Sequence, residues 1–369
     1  MENKWLEETF KGNVPSDFQG KVGWASPSNI ALVKYWGKKG NQIPQNPSIS
    51  FTLSECRSET FVEFEKAGKF GFQFFFEGKE NPAFGAKIEK FLMDHQAFFP
   101  FINQLTLKVE SRNTFPHSSG IASSASSMSA FVMCLMGVER SLSPRFLSLS
   151  KESKGRPIDV DLQKASYFSR LASGSAARSV FPAMALWGKT EAYEGSSDEY
   201  AVSLSDDIHP VFKTFHDSIL IVSGETKSVS SRAGHALMEG NPYASARYAQ
   251  ANENIKNLLS SLKSGDLDTF INITESEALQ LHALMMCSNP SFILMKPNTL
   301  SLINEIRAFR DETKIPLCFT LDAGPNVHLL YPESEAEKVD YFIKNNLAAY
   351  CVDNKWIADH VGDGPKKLL

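Results

Sequence analysis

Strand-like and helical segments are mixed along this chain without a strict strand–helix–strand repeat, an order that favours an α+β fold over a doubly wound parallel sheet. Apolar β-prone runs lie at 21–25, 48–53, 59–65, 70–76, 105–111, 218–222, 316–321, 327–331 and 347–352. Helical periodicity covers 83–94, 125–138, 162–171, 267–286 and 300–311, with a longer stretch at 233–262 that breaks near 240–242. The run Phe72–Phe76 has no interleaved basic residues, so it reads as a bulky core strand rather than a base-stacking surface. Residues 148–161 are charged and contain Gly155 and Pro157, which predicts an exposed loop, and residues 1–20 are polar and peripheral.

With 369 residues the chain has room for two domains, and the polar stretch at 205–217 sets their boundary at 210/211. A net charge of -4 provides no bulk attraction to nucleic acid or to an anionic membrane, so an anionic ligand must meet a local basic patch. The N-terminal segment has no apolar core of the secretory type and no run approaches membrane-spanning length, which predicts a cytoplasmic protein. The five cysteines are scattered among apolar neighbours and read as buried reduced thiols. The eight histidines show no zinc-site spacing, so any metal is expected to be Mg²⁺ held partly by phosphates, with its protein ligands unassigned.

Three segments carry chemistry. Asp322 sits where the apolar run 316–321 ends in a turn containing Gly324 and Pro325, so its carboxylate is expected on rigid structure. The small-residue stretch Ser118–Ser127 precedes an apolar helix and reads either as a phosphate cradle or as a helix start packed closely on a strand. Its serines favour the cradle. Arg178 lies near the end of a second small-residue stretch, 172–179, and reads as a carboxylate fork or as a surface arginine after a helix end. The segment Lys227–Arg232 combines two cations with three serine hydroxyls, which suits a diphosphate tail or a solvated turn. His235 reads as a packing or rim residue rather than a base.

The stretch from Ala25 to Lys38, containing Asn29-Ile30-Ala31-Leu32-Val33-Lys34-Tyr35-Trp36-Gly37-Lys38, resembles the opening motif of the diphosphomevalonate decarboxylases. Blocks at 47–54, 119–125, 173–179, 229–232 and 321–327 follow in that family's order and extend the resemblance over most of the chain. It implies the small-molecule kinase superfamily of galactokinase, homoserine kinase, mevalonate kinase and phosphomevalonate kinase. The implied architecture is two α+β domains, a ribosomal protein S5 domain 2-like one followed by a ferredoxin-like one, with the site in the cleft between them.

The implied reaction is ATP-dependent decarboxylation of 5-diphosphomevalonate to isopentenyl diphosphate, with ATP and Mg²⁺ as cofactors. A homodimer is implied as well. By matched position, Asp322, Arg178 and Lys38 are the catalytic residues, with Lys38 beside the aspartate and Arg178 on the substrate carboxylate. Tyr35, Ser173, Ser175, Ser231 and Arg232 join Lys38 and Arg178 as substrate-binding positions. Ser119, Gly120, Ala122, Ser123, Ser124 and Ser126 match the ATP phosphate loop, while Lys227 aligns less closely.

The chemistry explains this set. Phosphorylating a tertiary alcohol turns hydroxide into a good leaving group, and its departure builds positive charge that breakdown of the adjacent carboxylate then neutralises. Asp322 is expected to take the hydroxyl proton and afterwards to stabilise the cationic transition state. A phosphomevalonate decarboxylase and a mevalonate 3-kinase are the alternatives on the same fold, and a non-catalytic ligand sensor is the alternative of another class.

Overall fold

The computed structural model describes residues 9–116, 121–142, 159–225 and 231–369. Two sheets organise them. In the first half, β1 (Gln19–Val33) and β4 (Ser48–Lys66) form a long antiparallel pair, with the short hairpin β2 (Lys38–Lys39) and β3 (Ile43–Pro44) between them. β5 (Gly71–Phe76), β6 (Lys79–Glu80) and β7 (Leu105–Asn113) extend the sheet on one side of β4. β8 (Met184–Trp187) pairs with the other end of β4, and β9 (Ala201–Ser203) pairs with β8. In the second half, β10 (Phe215–Leu220), β11 (Cys318–Thr320), β12 (Val327–Pro332) and β13 (Trp356–His360) make a four-stranded antiparallel sheet in the order β11-β12-β10-β13. The last strand, β14 (Lys366–Lys367), returns to the first sheet and pairs with β1.

The helices cover these sheets. α1 (Pro82–Asp94), α2 (Ser123–Leu142) and α3 (Asp159–Ala172) belong to the first half. The second half carries α4 (Ser231–Ala236), α5 (Ala244–Ser264), α6 (Leu267–Met286), α7 (Pro297–Thr313) and α8 (Ala336–Phe342). Local chemistry sets several ends: Gly265, at φ 84°, closes α5, and the Asp266 carboxylate accepts the Thr269 N–H at 3.1 Å to start α6. Pro297 in the first turn of α7 costs no hydrogen bond, because that N–H would have no helical partner.

One apolar cluster joins the halves. Ile30, Leu32 and Phe51 of the first sheet pack with Phe215, Leu258 and Phe270 of the second half. The Asp359 carboxylate of β13 adds a polar clasp, accepting the backbone N–H groups of Ser54 and Glu55 at 2.8 Å and of Cys56 at 2.7 Å. A bridge between Leu53 and Val361 lies alongside.

The α+β expectation stands, and so do most elements. Differences have physical causes. The runs 48–53 and 59–65 are one continuous strand, because Asp359 accepts the Ser54, Glu55 and Cys56 N–H groups where the β1 register shifts, and Arg57 and Ser58 resume the pairing with β1. The run 347–352 is not a strand: α8 continues through a π turn, Ile343–Leu347, into the 3-10 turn Ala348–Tyr350, and a short apolar run does not by itself separate the two states. Within Phe72–Phe76 only Phe74 is buried, since β5 lies near the sheet edge. Cys287 is exposed at the end of α6, against the expectation of buried thiols, while the other four cysteines are buried. The loop 148–161 lies outside the described residues up to 158, after which the chain is already helical.

Candidate active site

β1 carries the first functional side chain to the floor of the cleft between the halves. Register shifts interrupt its pairing with β4 between Pro27 and Asn29 and again between Ala31 and Val33. Such bulges re-aim the residues that follow them. Lys34, the next residue, is 2% exposed, and its ammonium donates to the Ala31 carbonyl at 2.6 Å and to Asp322 Oδ1 at 3.3 Å. Burial holds the Lys34 pKa below its ordinary value of 10.5; the charges of Asp322 and Glu277 oppose that shift, and Arg178 adds to it.

Asp322 stands in the turn between β11 and β12, as expected from its sequence. Its carbonyl accepts from the Gly324 N–H at 2.7 Å and lies 3.1 Å from His282 Nε2, so the backbone beneath the carboxylate is tied on two sides. The Asn326 side chain accepts the Ser223 N–H at 3.0 Å, anchoring the far end of the turn.

Arg178 follows the 3-10 turn Gly174–Ala177 and is 2% exposed, not the surface arginine that a helix end would leave. Its Nε and Nη2 reach Asn29 Oδ1 at 3.4 Å, Nη1 donates to the Ser48 hydroxyl, and its guanidinium centre lies 5.9 Å from the Trp187 ring centroid. Burial pulls its pKa down to about 10, against the pull of Asp322, so it stays cationic at neutral pH. Ser173 and Ser175 line the cleft on either side of Gly174. A β-carbon on Gly174 would stand 2.8 Å from the Tyr35 hydroxyl and 3.0 Å from the Trp187 ring, so only glycine fits.

Tyr35 packs against Trp187 and His235, with ring centroids at 4.7 and 4.4 Å, and its buried hydroxyl has no hydrogen-bond partner among the described residues. Burial raises its pKa and keeps it protonated. Lys38, on β2, lines the same cleft and donates to Gln42 Oε1 at 3.0 Å. The lysine whose hydrogen bond to Asp322 is seen is Lys34, a residue that the sequence reading passed over. The unbroken apolar run Ile30 to Val33 that leads directly into it was the available signal, since a lysine at the end of a fully buried strand must meet a partner.

The small-residue stretch divides. Ser119 and Gly120 lie outside the described residues, and α2 already starts at Ser123. Ala122 and Ser124 line the cleft. Ser123 accepts from the Asn113 amide at 2.9 Å, which ties the helix start to β7. Ser126 faces inward instead: its buried hydroxyl sits 2.7 Å from that of Ser58 and 3.2 Å from the Ser123 carbonyl, which removes it from a phosphate-binding role. Once the helix begins at Ser123, its period turns Ser126 towards the sheet. Ser231 and Arg232 open α4, but their side chains, like all of Lys227, lie outside the described residues.

The opposite wall comes from α1, through Phe84, Lys87, Lys90 and Phe91. Their three-to-four-residue spacing marks one helix face, a signal that sequence reading had available and did not use. In all, the cleft encloses about 1060 Å³, room for a nucleotide and a second anionic ligand together. Beneath its floor Glu277 is fully buried, accepting from the Lys34 N–H at 2.9 Å, from Arg247 at 3.0 and 2.5 Å, and from Asn254 at 2.6 Å.

Two family models together match most of the chain. Residues 26–201 match the diphosphomevalonate decarboxylase-like N-terminal domain and residues 218–367 the mevalonate 5-diphosphate decarboxylase C-terminal domain. The chain belongs to the diphosphomevalonate decarboxylase family. It is 28% identical over 337 residues to the diphosphomevalonate decarboxylase of Ganoderma lucidum, covering 85% of this chain and 79% of that one. The mevalonate diphosphate decarboxylase of Staphylococcus aureus superposes with a TM-score of 0.77 at 25% identity, over 95% of this chain and 99% of that one. A complex of MDDEF with MVAPP, AMPPCP and magnesium matches with the same score, identity and coverage.

Proposed function

We infer that this chain converts 5-diphosphomevalonate and ATP into isopentenyl diphosphate, CO₂, ADP and phosphate. The observation that carries the reading is the Lys34–Asp322 pair facing a cleft whose wall holds the buried Arg178. That set provides a carboxylate at the alcohol, a cation that fixes the carboxylate, and a planar fork for a second carboxylate.

In the proposed sequence the C3 hydroxyl passes its proton to Asp322 as its oxygen attacks the γ-phosphorus of ATP. The bond between that phosphorus and the bridging oxygen breaks, and ADP leaves. The original C3–O bond then breaks with its electron pair going to the departing phosphate, which carries away the proton held by Asp322, and the carboxylate so restored faces the developing cation. The C1–C2 bond releases CO₂, and its electrons become the second bond between C2 and C3. Arg178 holds the departing carboxylate in line, a task that suits a guanidinium because it donates two parallel hydrogen bonds without losing its proton. Lys34 orients Asp322, and Lys38, Tyr35, Ser173 and Ser175 line the substrate's path.

Among the described residues no three His, Cys, Asp or Glu side chains form a metal cage. A Mg²⁺ would take most of its ligands from nucleotide oxygens, and the cleft-lining Ser124 hydroxyl would be available to it. When bound, Mg²⁺ neutralises charge on the transferring phosphoryl group.

We further propose a domain division at 210/211, a homodimer, and a cytoplasmic site of action. No helix among the described residues is long and apolar enough to cross a membrane. The deciding experiment incubates the protein with ATP, Mg²⁺ and, separately, mevalonate, 5-phosphomevalonate and 5-diphosphomevalonate while ADP and CO₂ are followed together. Equal release from the diphosphate alone is expected. ADP without CO₂ would assign a kinase, and turnover of the monophosphate alone would assign the other decarboxylase. Mass in solution checks the dimer.

A further inference from the structure

His235 has a settled hydrogen-bonding arrangement that a packing residue does not need. It lies on α4, yet its ring sits against Tyr35 and Trp36 of the first half, at centroid distances of 4.4 and 4.6 Å. Gly37 donates its backbone N–H to His235 Nδ1 at 2.9 Å. A nitrogen that accepts a hydrogen bond carries no proton, so the neutral ring must hold its hydrogen on Nε2. Burial and the nearby Lys38 charge drive the pKa of this histidine down to about 3, so it stays neutral wherever the protein is folded and working.

The rest of the ring is accounted for. Its faces meet Tyr35 and Trp36, its Nδ1 edge meets Gly37, and His235 lines the cleft, so the Nε2 edge is the one left for a ligand. No hydrogen bond to Nε2 is formed by the described residues. The neighbourhood is built to hold the ring there: a β-carbon on Gly234 would stand 2.5 Å from the Trp36 indole, and one on Gly37, at φ 95°, would stand 2.1 Å from the Tyr248 hydroxyl. Two glycines thus let α4, Trp36 and Tyr248 close around the imidazole.

We propose that His235 is a substrate-binding residue whose Nε2–H donates to an oxygen of the diphosphate tail, between Lys38 and the start of α4. The assignment of a diphosphate rests on the function proposed above. A neutral donor complements the site well, because Lys38 supplies the charge and a second cation beside it would be repelled. Its position on α4 also lets the second half of the chain sense a ligand bound to the first.

The test uses His235→Asn, whose side-chain oxygen can still accept the Gly37 N–H but which has nothing at the Nε2 position. Long-range ¹H–¹⁵N spectra of the imidazoles, with the His235 signals identified by their loss in this variant, should show a proton on Nε2. That signal should shift on titration with inorganic diphosphate. In steady-state assays His235→Asn should raise KM for 5-diphosphomevalonate about 10- to 100-fold, as expected for a hydrogen bond to a charged group, with a smaller loss in kcat. Its thermal midpoint should stay close to that of the parent.

A proton on Nδ1, an Nε2 signal indifferent to diphosphate, or an unchanged KM in a folded, active variant would overturn the proposal. If the parent turns over no diphosphate substrate, the functional reading fails. The inorganic diphosphate titration still decides whether His235 is an oxyanion donor.

Discussion

Replacing Glu277 by glutamine keeps the shape of a fully buried side chain and removes its charge. The carboxylate accepts four hydrogen bonds, one from the backbone of Lys34, two from Arg247 and one from Asn254. Arg247 is itself buried, so Glu277→Gln leaves a guanidinium inside the protein without its counter-charge. Stranding one partner of a buried pair costs about 3–5 kcal/mol. Glutamine can still accept from one side, which places the expected loss near the lower end of that range. Urea unfolding provides the assay, since the shift in midpoint multiplied by the slope gives the change in stability. The double variant Glu277→Leu, Arg247→Met should recover most of the loss, because an apolar pair removes both desolvation penalties at once. Its turnover should nevertheless remain low, as the Lys34 N–H then has no acceptor and the end of β1 loses its tether. A Glu277→Gln protein within about 1 kcal/mol of the parent, or a double variant no more stable than the single one, would refute the account of a charge-matched floor.

Four further outcomes follow from the same geometry. The alkaline limb of the kcat/KM profile should fall below 10.5, the ordinary lysine value, because burial lowers the Lys34 pKa and proton loss removes the cation that faces Asp322; Lys34→Arg should move that limb upward. The same shift means that the unfolded chain binds more protons than the folded one just below 10.5, so the Lys34 contribution to stability rises with pH through that window, and a urea midpoint measured across it checks the sign. Asp322→Asn should bind ATP and substrate normally but lose about 10²–10⁴-fold in turnover, and near-parental turnover would remove Asp322 from the chemistry. Gly174→Ala should cost about 1–3 kcal/mol and raise KM, since the new methyl group must displace the Tyr35 hydroxyl or the Trp187 ring, and a thermal melt with a KM measurement would detect both.

Much of the fold was legible because its signals are local. The helix 267–286 was placed to the residue, since Asp266 caps it and its apolar period is unbroken. Asp322 was found because a strand, a Gly-Pro turn and a second strand leave few places for a carboxylate to go. Non-local facts were not legible. Nothing in the residue types says that Lys34 donates to Asp322, because its place is set by the bulge at Ala31 and by Glu277, a residue 243 positions away. Ser126 looked like its neighbours until the start of α2 at Ser123 rotated it onto Ser58. Arg178 is buried by Asn29 and Ser48, both on strands distant in sequence.

The return of β14 to β1 bears on how the protein is made. Trp24 and Ala25 pair with Lys367 and Lys366, and the Leu368 N–H donates to the Gly23 carbonyl at 2.8 Å. On the ribosome, β1 emerges before β14, and its outer edge must wait for residues 366–367, made after the whole of the second sheet. Throughout elongation that edge offers unpaired backbone groups to any passing strand. The first sheet therefore reaches its final width only after the second half has been made, which makes vectorial, half-by-half maturation incomplete for this architecture and its folding sensitive to changes at residues 366–369.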